Sequence, residues 1–144
     1  MPRYRGTCIA IDGHGVLLRG ESSAGKSDLA LRLIDVGGEL ISDDYTELAA
    51  EDGRLMGTAP ATLHGLIEVR GLGVVRLPAR SAAPVVAVVD LLAADQVERM
   101  PPVRTEVILG VTVPLFQITA SEASAAAKVR LIVKLASGAI MLVE

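Results

Sequence analysis

The chain has 144 residues, of which 51% are hydrophobic and 22% charged, and its formal net charge at pH 7 is -3. This size and composition predict one globular domain with its own core and exclude a disordered or fibrous chain. The acidic balance, without a basic run, argues against nucleic acid as a partner. No uncharged segment reaches the ~20 residues that a membrane span requires, which argues against a membrane protein.

Two short β-prone runs come first, at residues 7–11 and 15–18. The Asp12-Gly13-His14 segment between them predicts a hairpin, because Asp-Gly pairs favour the tight turns of antiparallel strands. Cys8 lies in the first run and is the single cysteine of the chain. It excludes an internal disulfide and fits a reducing cytoplasm, and we expect it in the core.

A helix is predicted over residues 27–36, ended by Gly37-Gly38. Its period places one apolar stripe on a single face: Leu29, Leu33 and Val36, widened by Leu31 and Ile34. A strand over residues 39–45 follows, polar where Asp43 and Asp44 lie. Residues 46–59 then predict a polar hairpin that turns at Asp52-Gly53.

The second half of the chain is also predicted to be rich in strands. The segment "LIEVRGLGVVRL" mixes β-branched residues with two glycines, which predicts a strand with either a bulge or a close approach of another backbone. The remaining predicted elements, in chain order, are a fully buried strand at 84–92, a break at Pro101-Pro102, strands at 103–109 and 111–118, and a helix at 121–135 with Ser121 as its N-cap.

The segment "GESSAGKS" fits the P-loop pattern G-x-x-x-x-G-K-[ST] between a predicted strand and a predicted helix. In such a loop, backbone N–H groups and the helix N-terminus hold phosphate, Lys26 reaches the β- and γ-phosphate oxygens, and the Ser27 hydroxyl ligates Mg²⁺. The loop has no middle glycine, so Ser23 would be strained if its φ had to be positive. The alternative is a glycine-rich turn capped by serine.

Asp43 and Asp44 end the strand that follows the P-loop helix. Phosphoryl transfer needs one carboxylate to orient or deprotonate the acceptor hydroxyl and another to hold the metal. The alternative is a solvated acidic turn, which is common for an isolated pair of acids. Next to an intact P-loop, we favour the functional interpretation.

Glu68 and Arg70 alternate with apolar residues in "LIEVRG", so we expect both side chains on one face of a strand. If that face lines the cleft, Glu68 is a candidate Mg²⁺ ligand. Arg70 is then a candidate phosphate or transition-state contact, or the partner that orients a carboxylate. The alternative for this pair is a solvent-facing strand edge.

Taken together, "GVLLRGESSAGKSDLALRLIDVGGELISDDYTEL" followed by "LIEVRGLGVV" resembles the catalytic domain of HPr kinase/phosphorylase. This bacterial family phosphorylates a serine of the phosphocarrier protein HPr with ATP and removes the phosphate by phosphorolysis. The resemblance covers residues 5–80 well and the remainder loosely. It implies the short form of the family: one catalytic domain over 1–144, in the cytoplasm, assembling as homohexamers.

The fold implied is α/β, a P-loop kinase domain of the phosphoenolpyruvate carboxykinase-like type, strand-rich with a P-loop helix and a C-terminal helix. Matched by position, Asp44, with Asp43 kept beside it, is the proton acceptor in the kinase direction and the donor in reverse, and Ser27 and Glu68 are the Mg²⁺ ligands. Lys26 is the phosphate-binding lysine. The resemblance places ATP on the loop residues Gly20, Glu21, Ser22, Ser23, Ala24, Gly25, Lys26, Ser27 and Asp28.

Two positions depart from the family pattern. Arg5-Gly6 stands where the family has a His-Gly pair, and "VPLFQITASEAS" has no arginine where the family has an arginine- and glycine-rich loop that engages phosphoserine. We therefore expect an Mg-ATP-dependent serine kinase for HPr, with phosphorolysis the less expected direction. The alternatives are a nucleotide-binding regulatory module without transfer and a P-loop kinase for a different acceptor.

Overall fold

The computed structural model describes residues 2–143. The strands within that range are, in chain order, β1 (Arg3–Arg5), β2 (Thr7–Ile11), β3 (His14–Arg19), β4 (Glu39–Ser42), β5 (Tyr45–Glu51), β6 (Arg54–Thr58), β7 (Leu66–Val69), β8 (Gly73–Arg76), β9 (Ala82–Leu91), β10 (Arg104–Ile108) and β11 (Val111–Ile118). The helices are α1 (Lys26–Asp35) and α2 (Ala125–Ala136), with 3-10 turns at Ala61–Leu63 and Ala94–Gln96. Neither helix has the length and apolar character needed to span a bilayer, a finding limited to the described residues.

The main sheet runs in the order β1-β5-β6-β9-β3-β2-β4, and β11 joins it on β9 and carries β10. At its centre β9 pairs in parallel with β3 and β11 and antiparallel with β6. Both faces of β9 are apolar because the sheet separates two cores. Val89 packs in the core beneath the helices, and Val88 in the core on the opposite face. The strand predicted at 84–92 is therefore confirmed as β9, but the prediction that it is fully buried is wrong, because Pro84, Val86 and Asp90 are only partly buried.

The hairpins predicted from Asp-Gly pairs are confirmed. Asp12 and Gly13 join β2 to β3, and Asp52 and Gly53 join β5 to β6, with all four φ angles between 51° and 79°. Two successive positive φ angles are the geometry of the tight turns that match the twist of antiparallel strands. Cys8 is fully buried, as expected, and burial raises the pKa of its thiol to about 12.

Two predictions about the helices are wrong at their ends. Val36 follows the last residue of α1 and is 54% exposed, so it does not belong to the buried stripe of Leu29 and Leu33. The second helix begins at Ala125 with Ser124 as its N-cap, rather than at Ser121. Backbone bonds from Glu122 to Thr119 and from Ala125 to Glu122 fold the intervening residues into turns instead.

The predicted bulged strand "LIEVRGLGVVRL" is a hairpin, because the chain reverses between β7 and β8. Gly71 and Gly73 supply the left-handed backbone, with φ of 92° and 113°. Glu68 remains on β7, whereas Arg70 lies in the turn. The prediction that both side chains share one strand face is therefore wrong.

Arg19 ends β3, directly before the P-loop segment. Its guanidinium donates to both oxygens of Asp90 on β9, at 2.7 and 3.1 Å, and to both oxygens of Glu106 on β10, at 2.6 and 2.8 Å. The hydrogen bonds from Arg19 hold the pKa of the Glu106 carboxyl below its ordinary range, against the opposing effect of burial. Three strands are thus fixed to one another at the residue from which the loop departs.

This network predicts a stability that depends on pH. The depressed pKa of Glu106 means that its stabilising effect is present above the ordinary carboxyl value of 4.5 and is lost as the pH falls through the folded-state pKa. We expect Glu106→Gln to lower the free energy of unfolding at pH 7 by about 1 kcal/mol, because the side chain is one-third exposed and solvent screens the pair.

Urea unfolding at several pH values measures this effect. The difference between wild type and Glu106→Gln should narrow as the pH is lowered toward 4. Glu98→Gln, which alters the more exposed ion pair with Arg104, is the control and should change stability by less than about 0.5 kcal/mol. If the difference in free energy of unfolding between wild type and Glu106→Gln stayed constant with pH, packing and not charge would hold the three strands together.

Candidate nucleotide site

The segment Gly20–Ser27 connects β3 to α1, the context that the P-loop pattern requires. Gly25 is the N-cap of α1, and its φ of 94° is a left-handed conformation that other residues rarely adopt. At Gly20, an added Cβ would lie 2.9 Å from the Cβ of Ala24 and 3.1 Å from the carbonyl oxygen of Leu91. Both pattern glycines are therefore required by the backbone itself.

The missing middle glycine produces no strain. Among the described non-glycine residues, positive φ angles occur at Asp12, Asp44, Asp52 and Leu109, and not at Ser22, Ser23 or Ala24. The Ala24 N–H donates to the Glu21 carbonyl at 2.9 Å and closes a tight turn at the tip of the loop. The loop can thus keep its shape with serine and alanine at these positions.

Lys26 is buried against its own loop. Its ammonium donates to the carbonyl oxygens of Gly20, at 2.6 Å, and Glu21, at 3.1 Å. Burial lowers the pKa of Lys26 below its ordinary range, an effect that the charge of Asp44 opposes and that of Arg5 reinforces. The lysine therefore lies in the electrostatic field of the groups at the end of β4.

The two aspartates differ in environment. Asp43 is buried and accepts three hydrogen bonds, from the hydroxyls of Ser27 at 2.8 Å and Thr7 at 2.9 Å and from the backbone N–H of Glu68 at 3.2 Å. Its partners come from α1, β2 and β7, so three separate parts of the chain meet at one carboxylate. Asp43 is consequently fixed on the side of the P-loop helix.

Asp44 faces outward, with a side chain that is 52% exposed. Its backbone is held on both sides, because its N–H donates to the Thr7 hydroxyl at 3.1 Å and its carbonyl accepts from the Gly6 N–H at 2.7 Å. Its carboxylate lies 4.0 Å from Nε of Arg5, whose guanidinium lies 5.9 Å from the centre of the Tyr45 ring. The acid left open to a ligand is therefore Asp44, next to a permanent cation.

The hairpin of β7 and β8 places Glu68 and Arg70 in different positions relative to the two aspartates. The backbone of Glu68 contacts Asp43, which brings β7 to the site, while its side chain is exposed. Arg70 is exposed in the turn, and within residues 2–143 its guanidinium makes no hydrogen bond to the two aspartates. Arg5 holds the position beside Asp44 that the sequence suggested for Arg70.

Sequence reasoning missed Thr7 as a member of the site, and it identified Arg5 as a departure from the family pattern without predicting its contact with Asp44. One signal was present for Thr7, because a threonine in the apolar run "TCIAI" must find a partner for its hydroxyl when it is buried. For Arg5, the only signal was its departure from the family pattern. Its contact with Asp44 depends on the pairing of β1 with β5, which places Arg5 opposite Tyr45.

The donor set at Ser27 and Asp43 fits Mg²⁺, which binds hydroxyl and carboxylate oxygens. Among the described residues, no group of three or more His, Cys, Asp or Glu is arranged to hold an ion. A cation here would complete its shell with water and with oxygens of a bound phosphate, as Mg²⁺ does when it accompanies a nucleotide. The site thus combines a loop with the P-loop pattern, a buried carboxylate that accepts from the Ser27 hydroxyl, and an open carboxylate.

Comparisons with known proteins agree with this geometry. HPr kinase/phosphorylases from Clostridium tetani and Clostridium novyi are 41% and 43% identical over 76 and 77 residues, which is 53% and 54% of this chain but 25% of each relative. The matched region therefore makes up only about a quarter of the length of each of these relatives.

The solved structure of the Hpr(Ser) kinase/phosphatase from Coxiella burnetii matches with a TM-score of 0.83 and 28% identity, over 93% of this chain and 95% of that chain. This likeness confirms the strand-rich α/β P-loop kinase fold, which is consistent with the phosphoenolpyruvate carboxykinase-like type predicted from the sequence. A family model described as the HPr Serine kinase C-terminal domain matches residues 2–137. Because this match takes in nearly all of the chain, the chain belongs to the HPr Serine kinase C-terminal domain family.

Proposed function

We propose that this chain is an Mg-ATP-dependent protein serine kinase whose acceptor is the phosphocarrier protein HPr. The observation that carries the proposal is the difference in environment between the two aspartates. Asp43 is buried and accepts a hydrogen bond from the P-loop serine, Ser27, whereas Asp44 is exposed beside Arg5. The family and the names of the relatives support it. We further propose that residues 1–144 act as one catalytic domain in the cytoplasm.

The P-loop residues Gly20 to Asp28 are proposed to hold ATP through backbone N–H groups and the N-terminus of α1. Lys26 has three donors, of which two reach loop carbonyls, so one remains for a phosphate oxygen. Ser27 and Asp43 are proposed to hold Mg²⁺, with Glu68 as a further ligand because its backbone already contacts Asp43. When bound, Mg²⁺ would neutralise charge on the phosphate oxygens.

In the proposed transfer, the hydroxyl oxygen of the acceptor serine bonds to the γ-phosphorus of ATP while the bond from that phosphorus to the bridging β-γ oxygen breaks. ADP leaves, and Asp44 takes the hydroxyl proton. Asp43 is less suited to this step, because its two oxygens already accept three hydrogen bonds. The guanidinium of Arg5 places a positive charge 4.0 Å from the Asp44 carboxylate.

The loop between β11 and α2 is relevant to the reverse reaction, the phosphorolysis of phosphoserine. It lies against the P-loop, because a Cβ added at Gly25 would lie 3.2 Å from the Cβ of Ala120. Arg32 of α1 donates to the carbonyls of Ala120 and Glu122, and the Glu122 carboxylate pairs with Lys128 at 3.0 Å. Since this loop offers no arginine to a phosphoserine, we expect phosphorolysis to be weak or absent.

The same arginine-free loop favours a second candidate, a P-loop kinase for an acceptor other than HPr. Incubation with labelled ATP and HPr from the same organism tests both. Phosphoserine on HPr supports the first proposal, transfer only to another protein supports the second, and ATP binding without transfer points to a regulatory module. From the family resemblance we also propose a homo-oligomer, with the hexamer as the specific form, which equilibrium sedimentation tests.

Lys26→Ala should abolish the labelling of HPr, with a loss of about 100-fold or more, because the lysine is the cation next to the transferred phosphate. Lys134→Ala is the control, since Lys134 is an exposed residue in the last turn of α2 and should leave the rate unchanged. If the Lys26→Ala variant labelled HPr at the wild-type rate, the P-loop would have no role in the proposed mechanism.

Asp44→Asn should bind Mg-ATP like wild type but transfer at least about 100-fold more slowly, because the variant cannot accept the proton. Asp43→Asn should weaken Mg²⁺-dependent ATP binding and also lower stability by about 1–3 kcal/mol, since an amide cannot accept all three hydrogen bonds. Calorimetric titration and single-turnover labelling separate binding from transfer.

Asp52→Asn is the matched control for Asp44→Asn. Asp52 is also an aspartate with positive φ, but it lies in the hairpin turn between β5 and β6. It should leave both binding and transfer unchanged. If Asp44→Asn kept the wild-type rate while Asp43→Asn lost it after normal binding, the two roles would be reversed.

A further inference from the structure

Thr7 is a buried polar residue that the proposed mechanism does not use. It begins β2 and is fully buried, and the rest of that strand, Cys8 to Ile11, is apolar. Cys8 and Ile9 pack in the two cores on opposite faces of the sheet. A hydroxyl in such surroundings costs stability unless it is hydrogen-bonded, so its partners are informative.

Both partners of Thr7 are the functional aspartates. The hydroxyl donates to Oδ1 of Asp43 at 2.9 Å and accepts from the backbone N–H of Asp44 at 3.1 Å. One oxygen atom therefore joins the buried carboxylate to the peptide group that carries the open one. The Ser27 hydroxyl donates to the same Oδ1 of Asp43, which extends the connection to the start of α1.

The backbone around Thr7 explains why this link is needed. At Gly6 the chain passes from β1, which pairs with β5, to β2, which pairs with β4. At Asp43 and Asp44 it passes from β4 to β5. Regular strand pairing is interrupted at both crossings, and Asp44 has a φ of 67°, so its orientation depends on the few hydrogen bonds made there.

We propose that Thr7 is a positioning residue for phosphoryl transfer: its hydroxyl fixes the Asp44 backbone relative to the Asp43 carboxylate. The inference rests on the proposed function, because it gives Asp44 the role of proton acceptor. Thr7 itself touches no reacting atom. Without its hydroxyl, Asp43 keeps the donors from Ser27 and Glu68. The Asp44 N–H loses its partner, so of the two hydrogen bonds that hold the Asp44 backbone the one from the Gly6 N–H remains, and the acceptor carboxylate is directed less firmly.

Thr7→Val tests this link, since it keeps the shape of the side chain and removes the hydroxyl. Thr46→Val is the matched control. Thr46 is also fully buried, and its hydroxyl donates at 3.0 Å to the carbonyl of Gly6, the residue before Thr7, but bonds to neither aspartate. Thr7→Ser keeps the hydroxyl and serves as the rescue variant, and Thr7→Ala replaces Thr7→Val if the valine variant does not fold.

The first measurement is amide hydrogen exchange of Asp44 by NMR in the protein without nucleotide. Thr7→Val should speed this exchange by about 10-fold, because the amide loses its hydrogen bond, while Thr46→Val and Thr7→Ser stay near wild type. Exchange at the wild-type rate in Thr7→Val, or an equal increase in Thr46→Val, would overturn the link. This result does not depend on the protein being a kinase.

The second measurement is steady-state phosphorylation of HPr. Thr7→Val should lower kcat by about 10- to 100-fold with the KM for ATP unchanged, since displacement of the acceptor carboxylate affects transfer and not nucleotide binding. Thr7→Ser should restore kcat. An unchanged kcat in Thr7→Val would overturn the positioning role while leaving the kinase intact, whereas a wild-type protein that does not phosphorylate HPr would overturn the proposed function instead.

Discussion

The carboxylate of Asp43 lies where three parts of the chain converge, and its burial makes their convergence necessary. A buried acceptor that loses a hydrogen-bond donor costs about 1–3 kcal/mol, and more when it is charged, so the hydroxyls of Thr7 and Ser27 and the amide of Glu68 together stabilise this carboxylate. Those donors lie on β2, at the start of α1 and on β7. The start of the P-loop helix is therefore tied to the sheet through this one group, in addition to the apolar packing of Leu29 and Leu33.

Charge is arranged around this anchor in alternating signs. Lys26 and Arg5 are the cations, and Asp43, Asp44 and the proposed metal ligand Glu68 are the anions, so the proposed site carries a small net negative charge before a nucleotide enters. A polyphosphate brings several negative charges that only part of this set can neutralise, which is why a divalent cation suits the site.

The P-loop, the paired aspartates and most of the strands could be predicted from the sequence, because their signals are local. Gly20 and Gly25 mark the loop, and Asp-Gly pairs mark the turns. The role of Thr7 could not be predicted in this way, since its partners lie 36 and 37 residues away and meet it only through the pairing of β2 with β4. Such contacts depend on register, which no local pattern specifies.

Two of the wrong predictions, the bulged strand and the N-cap of the second helix, arose because the same sequence signal fits more than one structure. Positive φ at a glycine suits either a bulge or a reverse turn, so "RGLG" did not decide between one strand and two. Ser121 and Ser124 are both acceptable at a helix N-cap, and the turns that follow Thr119 decide between them. Each segment also contacts the site, since the Glu68 N–H donates to Asp43 and Ala120 lies against Gly25 of the P-loop.

The bonds that Lys26 makes to its own loop have a consequence for affinity. A free lysine side chain loses about 1.5–2 kcal/mol of conformational entropy when it is immobilised. Here the ammonium is already held by the carbonyls of Gly20 and Glu21, so that entropy is lost when the protein folds and not when the ligand arrives. In the proposed nucleotide complex, the loop is therefore preorganised for phosphate, and the entropic cost of binding falls mainly on the nucleotide.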